Sequence, residues 1–439
     1  MKPTLIHSVT LFDGHSTHRG STVAFDGSTG IITKVATGDS GPDVKGATEA
    51  VIIDGTGHTL IPGLIESHMH AHQMHLSPGS PMPHPLRSPL RCGVTTVCDM
   101  HCDPAIVEKL GAEIADDIYR ARKLDFKITL SDLKSALYAA TIDGGWPKSI
   151  VLGHDPSAEA QKAVSSWPSL TVEKVSEFIE EHKAAGADYI KLMQENHCAL
   201  ALPTNSIPVA TLELQTAVVQ AAHNAGLRTI GHALSVDMTE ILLQARVDGL
   251  GHTFIDQPPP EKIVHLYKRT GSFIIPTLAI AASVTQELQN WRDRFADIAK
   301  AKALVDDFTV DMMRKSVGMK APTARLDYAF ETIKKLKAEG IDVLAGTDSA
   351  AGLQGTGIGP TLWMEMLLYV EKCGFSVTDA LKSATSVPAR RLGFEDRGVI
   401  GEGKRADLVL VKGELTESLE YLWEGDGIVG IWKGGLRGM

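Results

Sequence analysis

The sequence lacks the features that would point to a nucleic acid or a membrane as the partner. There is no basic surplus to neutralise phosphates, because 43 lysines and arginines face 53 aspartates and glutamates, a formal net charge of -10. No window holds the about 20 apolar residues of a membrane span. The first residues show no charged-then-apolar signal pattern. We therefore expect a small-molecule substrate, and no nucleic-acid or membrane partner.

Cysteine is also scarce. The chain has five cysteines in 439 residues, an odd number without the spacing of a disulfide framework. Cys98 and Cys102 lie four apart, but no second cysteine pair accompanies them as a structural metal site would need. This usage predicts a reducing compartment, and we expect a cytoplasmic protein.

Both ends of the chain have the same sequence pattern. Residues 1–57 and 396–439 contain short β-like runs separated by glycine and aspartate turns, such as TVAFDG and ADLVLVKGE. The ends of a domain commonly lie close together in space. The pattern predicts one small β-sandwich domain assembled from both termini, with a larger domain, 58–395, inserted between them.

The middle of the chain alternates between apolar runs of strand length and amphipathic helical stretches. Eight runs can be counted: LIPGLIES, GVTTVCDM, FKITLSD, DYIKLMQ, RTIGHAL, GLGHTF, SFIIPTL and DVLAGTDS. Buried parallel strands are nearly continuous apolar runs, and eight of them close a (β/α)8 TIM barrel. The predicted fold class is therefore α/β. Residues 279–340 exceed one crossover and predict two or three helices that partly cover the barrel mouth.

Ligand-type side chains follow these runs. His68 and His70 are two residues apart on one strand, so their side chains point the same way. Four more candidates end later strands: Lys191, His232, His252 and Asp348. Singly, a histidine is often a hydrogen-bonded core residue, an aspartate can cap a helix, and a buried lysine needs a partner. Barrel enzymes place their chemistry at these strand ends, so six candidates at one mouth indicate a single site.

On these motifs the chain resembles the metal-dependent amidohydrolase superfamily. The matching segments are ESHMHAH, IKLM, GHAL, GHTF and AGTDS. The similarity is to the branch with a binuclear metal centre bridged by a carboxylated lysine. Within that branch the chain resembles the group of Xaa-Pro dipeptidases, N-acyl-amino-acid hydrolases and the ochratoxin-degrading amidase.

The resemblance implies two divalent metal ions and a set of ligands: His68, His70, Lys191, His232, His252 and Asp348. Carbon dioxide would carboxylate Lys191, which would then bridge both ions. A hydroxide bridging the metals would attack an amide carbonyl, and Asp348 would take the proton and deliver it to the leaving group. Histidine and carboxylate ligands suit zinc best, with manganese or iron possible. Relatives of this kind also imply a homo-oligomer.

Other side chains are candidates for the mouth of the site. His72, His101 and His197 are predicted substrate contacts, and His75 is expected to shape the mouth. The aromatic residues Trp146 and Trp363 are further candidates, with Trp363 expected near the mouth.

The predicted reaction is hydrolysis of a peptide-like or N-acyl-amino-acid amide bond. A lactone or ester stays open, because its carbonyl needs the same hydroxide and Lewis acid. A deaminase of the superfamily usually lacks the bridging lysine, so Lys191 argues against it. A non-hydrolytic lyase is conceivable, and a catalytically dead relative would be expected to lose ligands that are all present here.

Overall fold

The computed structural model describes residues 2–38, 50–73 and 83–438. Its strands are β1 (Pro3–Phe12), β2 (Thr17–Asp26), β3 (Ile31–Ala36), β4 (Val51–Asp54), β5 (His58–Pro62), β6 (Leu64–Gln73), β7 (Val94–Asp99), β8 (Asp132–Ser135), β9 (Tyr189–Met193), β10 (Arg228–His232), β11 (Gly249–Gly251), β12 (Phe273–Ile275), β13 (Ser349–Ala351), β14 (Leu408–Lys412), β15 (Ile428–Lys433) and β16 (Leu436–Arg437).

Helices lie mostly between the strands of the middle region. They are α1 (Arg87–Arg91), α2 (Pro104–Leu124), α3 (Lys148–His154), α4 (Ala158–Ser165), α5 (Val175–Ala184), α6 (Leu212–Asn224), α7 (Val236–Gln244), α8 (Glu261–Thr270), α9 (Leu278–Thr285), α10 (Gln289–Ala301), α11 (Asp307–Arg314), α12 (Leu326–Ala338), α13 (Pro360–Cys373), α14 (Val377–Ser383) and α15 (Ser386–Leu392). Within the described residues, no helix combines the length and apolar character needed to cross a membrane.

Strands from both ends of the chain share one sheet. Its hydrogen-bonded order is β16-β15-β14-β5-β1-β2-β3, with β4 also paired to β1. Its core contains Phe25 and Trp432, whose rings meet edge to face with centroids 5.6 Å apart. The sheet also contains β5, which pairs with β1 and β14. The two-domain division at 57/58 and 395/396, and a sandwich packing of this sheet, stay predictions.

The middle region forms two four-stranded parallel sheets, ordered β12-β11-β10-β9 and β13-β6-β7-β8. Every predicted apolar run contains or adjoins one of these strands. The third and eighth strands lie further along the chain than predicted, since β8 begins at Asp132 and β13 begins just after Asp348. The fold is therefore a mixed α/β fold whose parallel strands alternate with helices.

Isolated parallel bridges connect the edges of these two sheets. Ala140, after β8, bridges to Leu192 on β9, and Ile274 on β12 bridges to Val343, ahead of β13. Backbone hydrogen bonds support both seams: Ala140 N donates to Lys191 O at 2.7 Å, and Leu344 N donates to Ile274 O at 2.8 Å.

The first predicted run is divided at Gly63. Strand β5 before it belongs to the terminal sheet, and β6 after it belongs to a parallel sheet. A Cβ atom at position 63 would lie 2.2 Å from Thr95 Oγ1, so only glycine allows this close approach to β7. The glycine thus lets the chain pass from one sheet to the other just before the strand that carries His68 and His70.

The long helical segment contains more helices than the sequence predicted. Four helices, α9 to α12, lie between residues 278 and 338, so the expected count of two or three is wrong. Gln286 and Leu288 adopt left-handed backbone conformations, with φ of 59° and 56°, and these separate α9 from α10. Side chains of this segment, including Ile280 and Met319, line the cavity described below.

Candidate metal centre

Strand β6 and the residue before β13 bring three ligand candidates together. Asp348 Oδ1 lies 3.1 Å from His68 Nε2 and 3.0 Å from His70 Nε2. One potential ligand atom from each of these three residues lies within 4.8 Å of the others. The two-residue spacing on an extended strand explains why both imidazoles face the same carboxylate.

Backbone contacts fix this carboxylate beside the strand. Asp348 adopts a left-handed conformation with φ of 60°, and its N–H donates to His68 O at 2.7 Å. The buried carboxylate of Glu66 accepts hydrogen bonds from His68 N at 3.1 Å and from Thr347 Oγ1 at 2.9 Å. Glu66 was not among the predicted site residues, yet it ties the two halves of this ligand group together.

Lys191 lies on β9 with its side chain fully enclosed. The residue is 1% exposed, and its Nζ has no hydrogen-bond partner in the part of the chain that the structure describes. It lies near His68 because Gly251 leaves room: a Cβ there would lie 2.7 Å from Lys191 Nζ and 2.9 Å from His68 Cε1. A buried amine without a partner is costly unless the amine is neutral or modified.

His232, at the end of β10, and His252, just after β11, complete the ring of histidines. Their ring centroids are 4.6 Å apart, and His252 is 4.7 Å from His68. Thr277 Oγ1 lies 2.8 Å from His252 Nδ1, which leaves Nε2 of that ring for a ligand. Glu195 Oε2 lies 3.4 Å from His232 Nε2, which leaves Nδ1 of that ring.

Burial and neighbouring charges set the protonation of these groups. Burial and nearby Lys191 lower the pKa of His68 to about 3, and burial lowers the pKa of His232 and holds that of His252 well below the ordinary value. Burial would raise the pKa of Asp348, but His252 and the bonded His68 and His70 hold it well below its usual value.

The pKa values of His70 and Lys191 are shifted in opposite directions from their ordinary values. Burial would lower the pKa of His70, but the bond to Asp348 outweighs it and raises that pKa. Burial lowers the pKa of Lys191 to about 7, against the attraction of Asp348 and Asp99. A substantial fraction of a lysine with this pKa is a neutral amine at pH 7.

These properties fit divalent metal ions. The lowered pKa values of His68, His232 and His252 favour neutral imidazoles, and the lowered pKa of Asp348 favours an ionised carboxylate, which are the forms that bind metal. Buried ring nitrogens of His68 and His70 lack hydrogen-bond partners among the described residues. A second group with metal-ligand spacing, His70, His72 and Asp99, adjoins the first. In that group Asp99 is buried and accepts hydrogen bonds from Ala71 N and Ser135 Oγ.

The predicted substrate contacts lie at different places. His72 and His101 line the same cavity as the ligand set, and His72 Nδ1 lies 2.8 Å from His101 O. His197 is 3% exposed and lies behind Trp146, with ring centroids 5.6 Å apart and Nδ1 2.9 Å from Ser206 Oγ. His75 lies outside the described residues.

The two tryptophans that were candidates for the mouth, Trp146 and Trp363, also lie in different places. Trp146 lines the cavity, with its ring stacked on His232 at 5.3 Å and 22°. Trp363 is 1% exposed on α13, and its indole Nε1 donates to Cys92 O at 3.1 Å. The expectation that Trp363 lies near the mouth is therefore wrong, because that face of α13 packs into the core.

A cavity of about 230 Å³ opens above the ligand set. An outer cavity of about 680 Å³ adjoins it and shares several walls, among them His72, His101 and Trp167. The six ligand candidates line the floor of the inner cavity. A small molecule bound there would contact the histidines and carboxylate directly.

The chain belongs to the amidohydrolase family, whose model matches residues 59–437. The family predicted from the motifs is therefore confirmed. The match begins at β5 and runs through β16, so it includes all six ligand candidates.

Known proteins share this fold or short parts of the sequence. A Xaa-Pro dipeptidase structure with bound methionine in the active site matches at TM-score 0.70, with 23% identity over 99% of both chains. The ochratoxinase of A. niger matches at TM-score 0.71, with 18% identity over 100% of this chain and 96% of that one. A 50-residue stretch is 61% identical to alpha-D-ribose 1-methylphosphonate 5-triphosphate diphosphatase of Escherichia coli (strain K12), which covers 11% of this chain and 13% of that protein.

Proposed function

We propose that this chain is a metal-dependent hydrolase that cleaves an amide bond. The observation that carries the proposal is the convergence of four histidines, an ionised aspartate and an unpartnered lysine on the floor of one cavity. We also propose that the two parallel sheets close into one (β/α)8 barrel. Two parallel bridges at their edges support this closure.

The proposed metal ligands are the six predicted residues, with zinc as the first candidate metal because of its preference for histidine and carboxylate. Divalent ions held there would polarise a substrate carbonyl and lower the pKa of water. We propose that Lys191 is carboxylated by carbon dioxide, which requires the neutral amine. Burial favours this form, since it lowers the pKa of Lys191 to about 7.

Asp348 is the proposed proton carrier. Its carboxylate is ionised and lies within 3.1 Å of two histidines, at the floor of the cavity where a substrate carbonyl would be held. An ionised carboxylate in that position accepts a proton from the attacking water and passes it to the leaving nitrogen. The backbone bond to His68 O keeps Asp348 in place during both transfers.

A peptide-like or N-acyl-amino-acid amide is the substrate class that the resemblance implies, and a lactone or ester is the alternative. Both need the same polarised carbonyl and the same proton carrier. Loss of the ligand set would have favoured a binding protein, whereas here it is complete.

The test uses full-length protein loaded with zinc in bicarbonate and a panel of N-acyl amino acids, dipeptides including Xaa-Pro, aryl amides and lactones. Asp348→Asn should retain metal and lose amide cleavage, while the exposed Asp426→Asn should behave as the wild type. Substantial turnover by metal-loaded Asp348→Asn would contradict the role of Asp348. Cleavage of lactones alone would show that the substrate is a lactone rather than an amide. No cleavage at all would contradict a hydrolase.

A further inference from the structure

The walls of the inner cavity are almost entirely apolar. Above the ligand set, the described lining consists of aromatic and aliphatic side chains, two threonines and the histidines His72 and His101. Aromatic walls come from Trp146 and Trp167, and aliphatic walls from residues such as Leu234 and Met319. Such walls stabilise apolar substrate groups by removing their surface from water.

This lining contains little positive charge for a substrate. Among the described residues, Lys191 is the one lysine of the inner cavity, and no arginine lines it. Lys191 is committed to the metal centre in the proposed function.

The outer cavity has an acidic lining. Its described carboxylates are Asp103, Glu113 and Asp155, against one lysine, Lys109. Glu113 Oε2 lies 2.8 Å from His84 Nε2, so that histidine is already paired. An anionic substrate group that extended into the outer cavity would therefore meet more carboxylates than cations among its described lining residues.

A dipeptide or an N-acyl amino acid carries a free carboxylate within a few bonds of the scissile amide. Apart from the proposed metal centre, which would hold the scissile carbonyl, the described lining offers that carboxylate no cationic side chain, and its burial beside apolar walls is strongly unfavourable. We propose that the substrate is an uncharged, apolar amide, with no carboxylate next to the scissile bond. This inference rests on the proposed function and narrows its substrate class away from peptides and N-acyl amino acids.

The size of the inner cavity narrows the class further. Its volume of about 230 Å³ lies below the roughly 300–1,000 Å³ of common ligand pockets. It therefore suits one small aryl or short alkyl group, and the remainder of the substrate would extend into the outer cavity. Trp146, whose ring is stacked on His232, contributes an aromatic wall beside the reacting end.

The experiment compares pairs of compounds that differ only in charge. N-acetyl-phenylalanine is compared with N-acetyl-phenylalaninamide, and hippurate with its primary amide, on the zinc- and bicarbonate-loaded wild-type protein. Calorimetry on metal-loaded Asp348→Asn gives the Kd of the same compounds without turnover. We expect the neutral member to exceed its anionic partner by at least about 100-fold in both kcat/KM and affinity, the effect of about 2.7 kcal/mol of unpaired buried charge.

A pair of variants tests whether the apolar wall causes the preference for neutral compounds. Met319→Lys places a cation of similar length on the cavity wall, and Met319→Leu keeps the wall apolar. Met319→Lys should narrow the preference for neutral compounds by about tenfold or more, since a charged pair in a nonpolar site is worth at least about 1.4 kcal/mol. Met319→Leu should leave the preference in place.

The outcomes separate the two proposals. Tight binding of the neutral compounds without turnover by the wild type would contradict the hydrolase while supporting this substrate class. Equal or better binding of the carboxylates would overturn the substrate class even if amides are cleaved. Binding of neither member would overturn it as well.

Discussion

At the scale of single residues, two side chains, Thr277 and Glu195, each contact one ring nitrogen of a histidine in the proposed centre. Thr277 Oγ1 lies 2.8 Å from His252 Nδ1, and Glu195 Oε2 lies 3.4 Å from His232 Nε2. Glu195 is itself held, because its Oε1 accepts hydrogen bonds from Asn196 N and His197 N. Such partners select which ring nitrogen faces the metal.

Glu195→Gln should therefore weaken metal binding while leaving the fold intact. The amide keeps the size of the side chain and one accepting oxygen but removes the negative charge beside His232. We expect the metal Kd, measured by chelator competition, to rise about 10- to 100-fold. The exposed Glu339→Gln, which loses only the pair with Lys268, is the control, and equal Kd values for both variants would contradict the role of Glu195.

Metal binding should also depend on pH in a defined direction. The pKa of His70 is raised by its bond to Asp348, and the pKa of Lys191 is lowered by burial to about 7. Both groups must be deprotonated to act as ligands, so protons compete with metal as the pH falls through about 7. The metal affinity measured by calorimetry should decrease between pH 8 and pH 6, whereas a flat profile would contradict this assignment.

At the scale of elements, the ligand candidates lie at or near the ends of the parallel strands, and glycines leave room for their side chains. Gly251 ends β11, and Gly346 lies just before Asp348; a Cβ at either position would lie 2.9 Å from an atom of His68. The close approach of neighbouring backbones is thus part of the construction of the site.

Gly251→Ala should disturb the metal centre, because its methyl group would meet Lys191 Nζ and His68. We expect loss of at least half of the bound metal, measured by mass spectrometry of the metal-loaded protein. Gly111→Ala is the matched control: Gly111 lies within α2, and the position that its added methyl group would take has nothing within 4 Å. That variant should retain its metal and gain about 0.5–1 kcal/mol in the free energy of unfolding; full metal content in Gly251→Ala would refute the crowding argument.

The sequence predicts the candidate ligands because each ends or borders an apolar run, and parallel strands end at one edge of a sheet. It could not assign Glu195 or Glu66. Their carboxylates act through contacts that span 39 residues to Leu234 and 281 residues to Thr347, which local pattern does not show. The only signal was a charged residue inside an otherwise buried stretch. The extra helices in the segment 278–338 were missed because left-handed residues other than glycine carry no clear sequence mark.

At the scale of the whole molecule, a charge cluster joins the terminal sheet to the parallel strands. Asp132, at the start of β8, forms ion pairs with Arg397 at 3.1 Å, Arg405 at 2.5 Å and Lys433 at 2.9 Å. Burial would raise the pKa of Asp132, but these three cations lower it below the ordinary value. The carboxylate therefore contributes stability that is present at neutral pH and is lost as the pH falls through its lowered pKa.

Asp132→Asn should be strongly destabilising, because buried Lys433 would lose its counter-charge, and Arg397 and Arg405 would keep only Asp396 and Asp407. We expect a decrease of about 3–5 kcal/mol in the free energy of unfolding, measured by urea denaturation at pH 7. Asp426→Asn breaks only the exposed pair with Lys412 and should leave the free energy of unfolding nearly unchanged. Similar losses in the two variants would show that the cluster does not hold the two parts together.

The proposed function as a whole depends on a binuclear site that contains Lys191. The most direct test is the metal content of the full-length protein after loading with zinc and bicarbonate, determined by inductively coupled plasma mass spectrometry. Two zinc ions per chain are predicted for the wild type and for the exposed-site control Lys262→Ala, and at most one for Lys191→Ala. A wild type without bound metal, or a Lys191→Ala variant that retains both ions, would contradict the account.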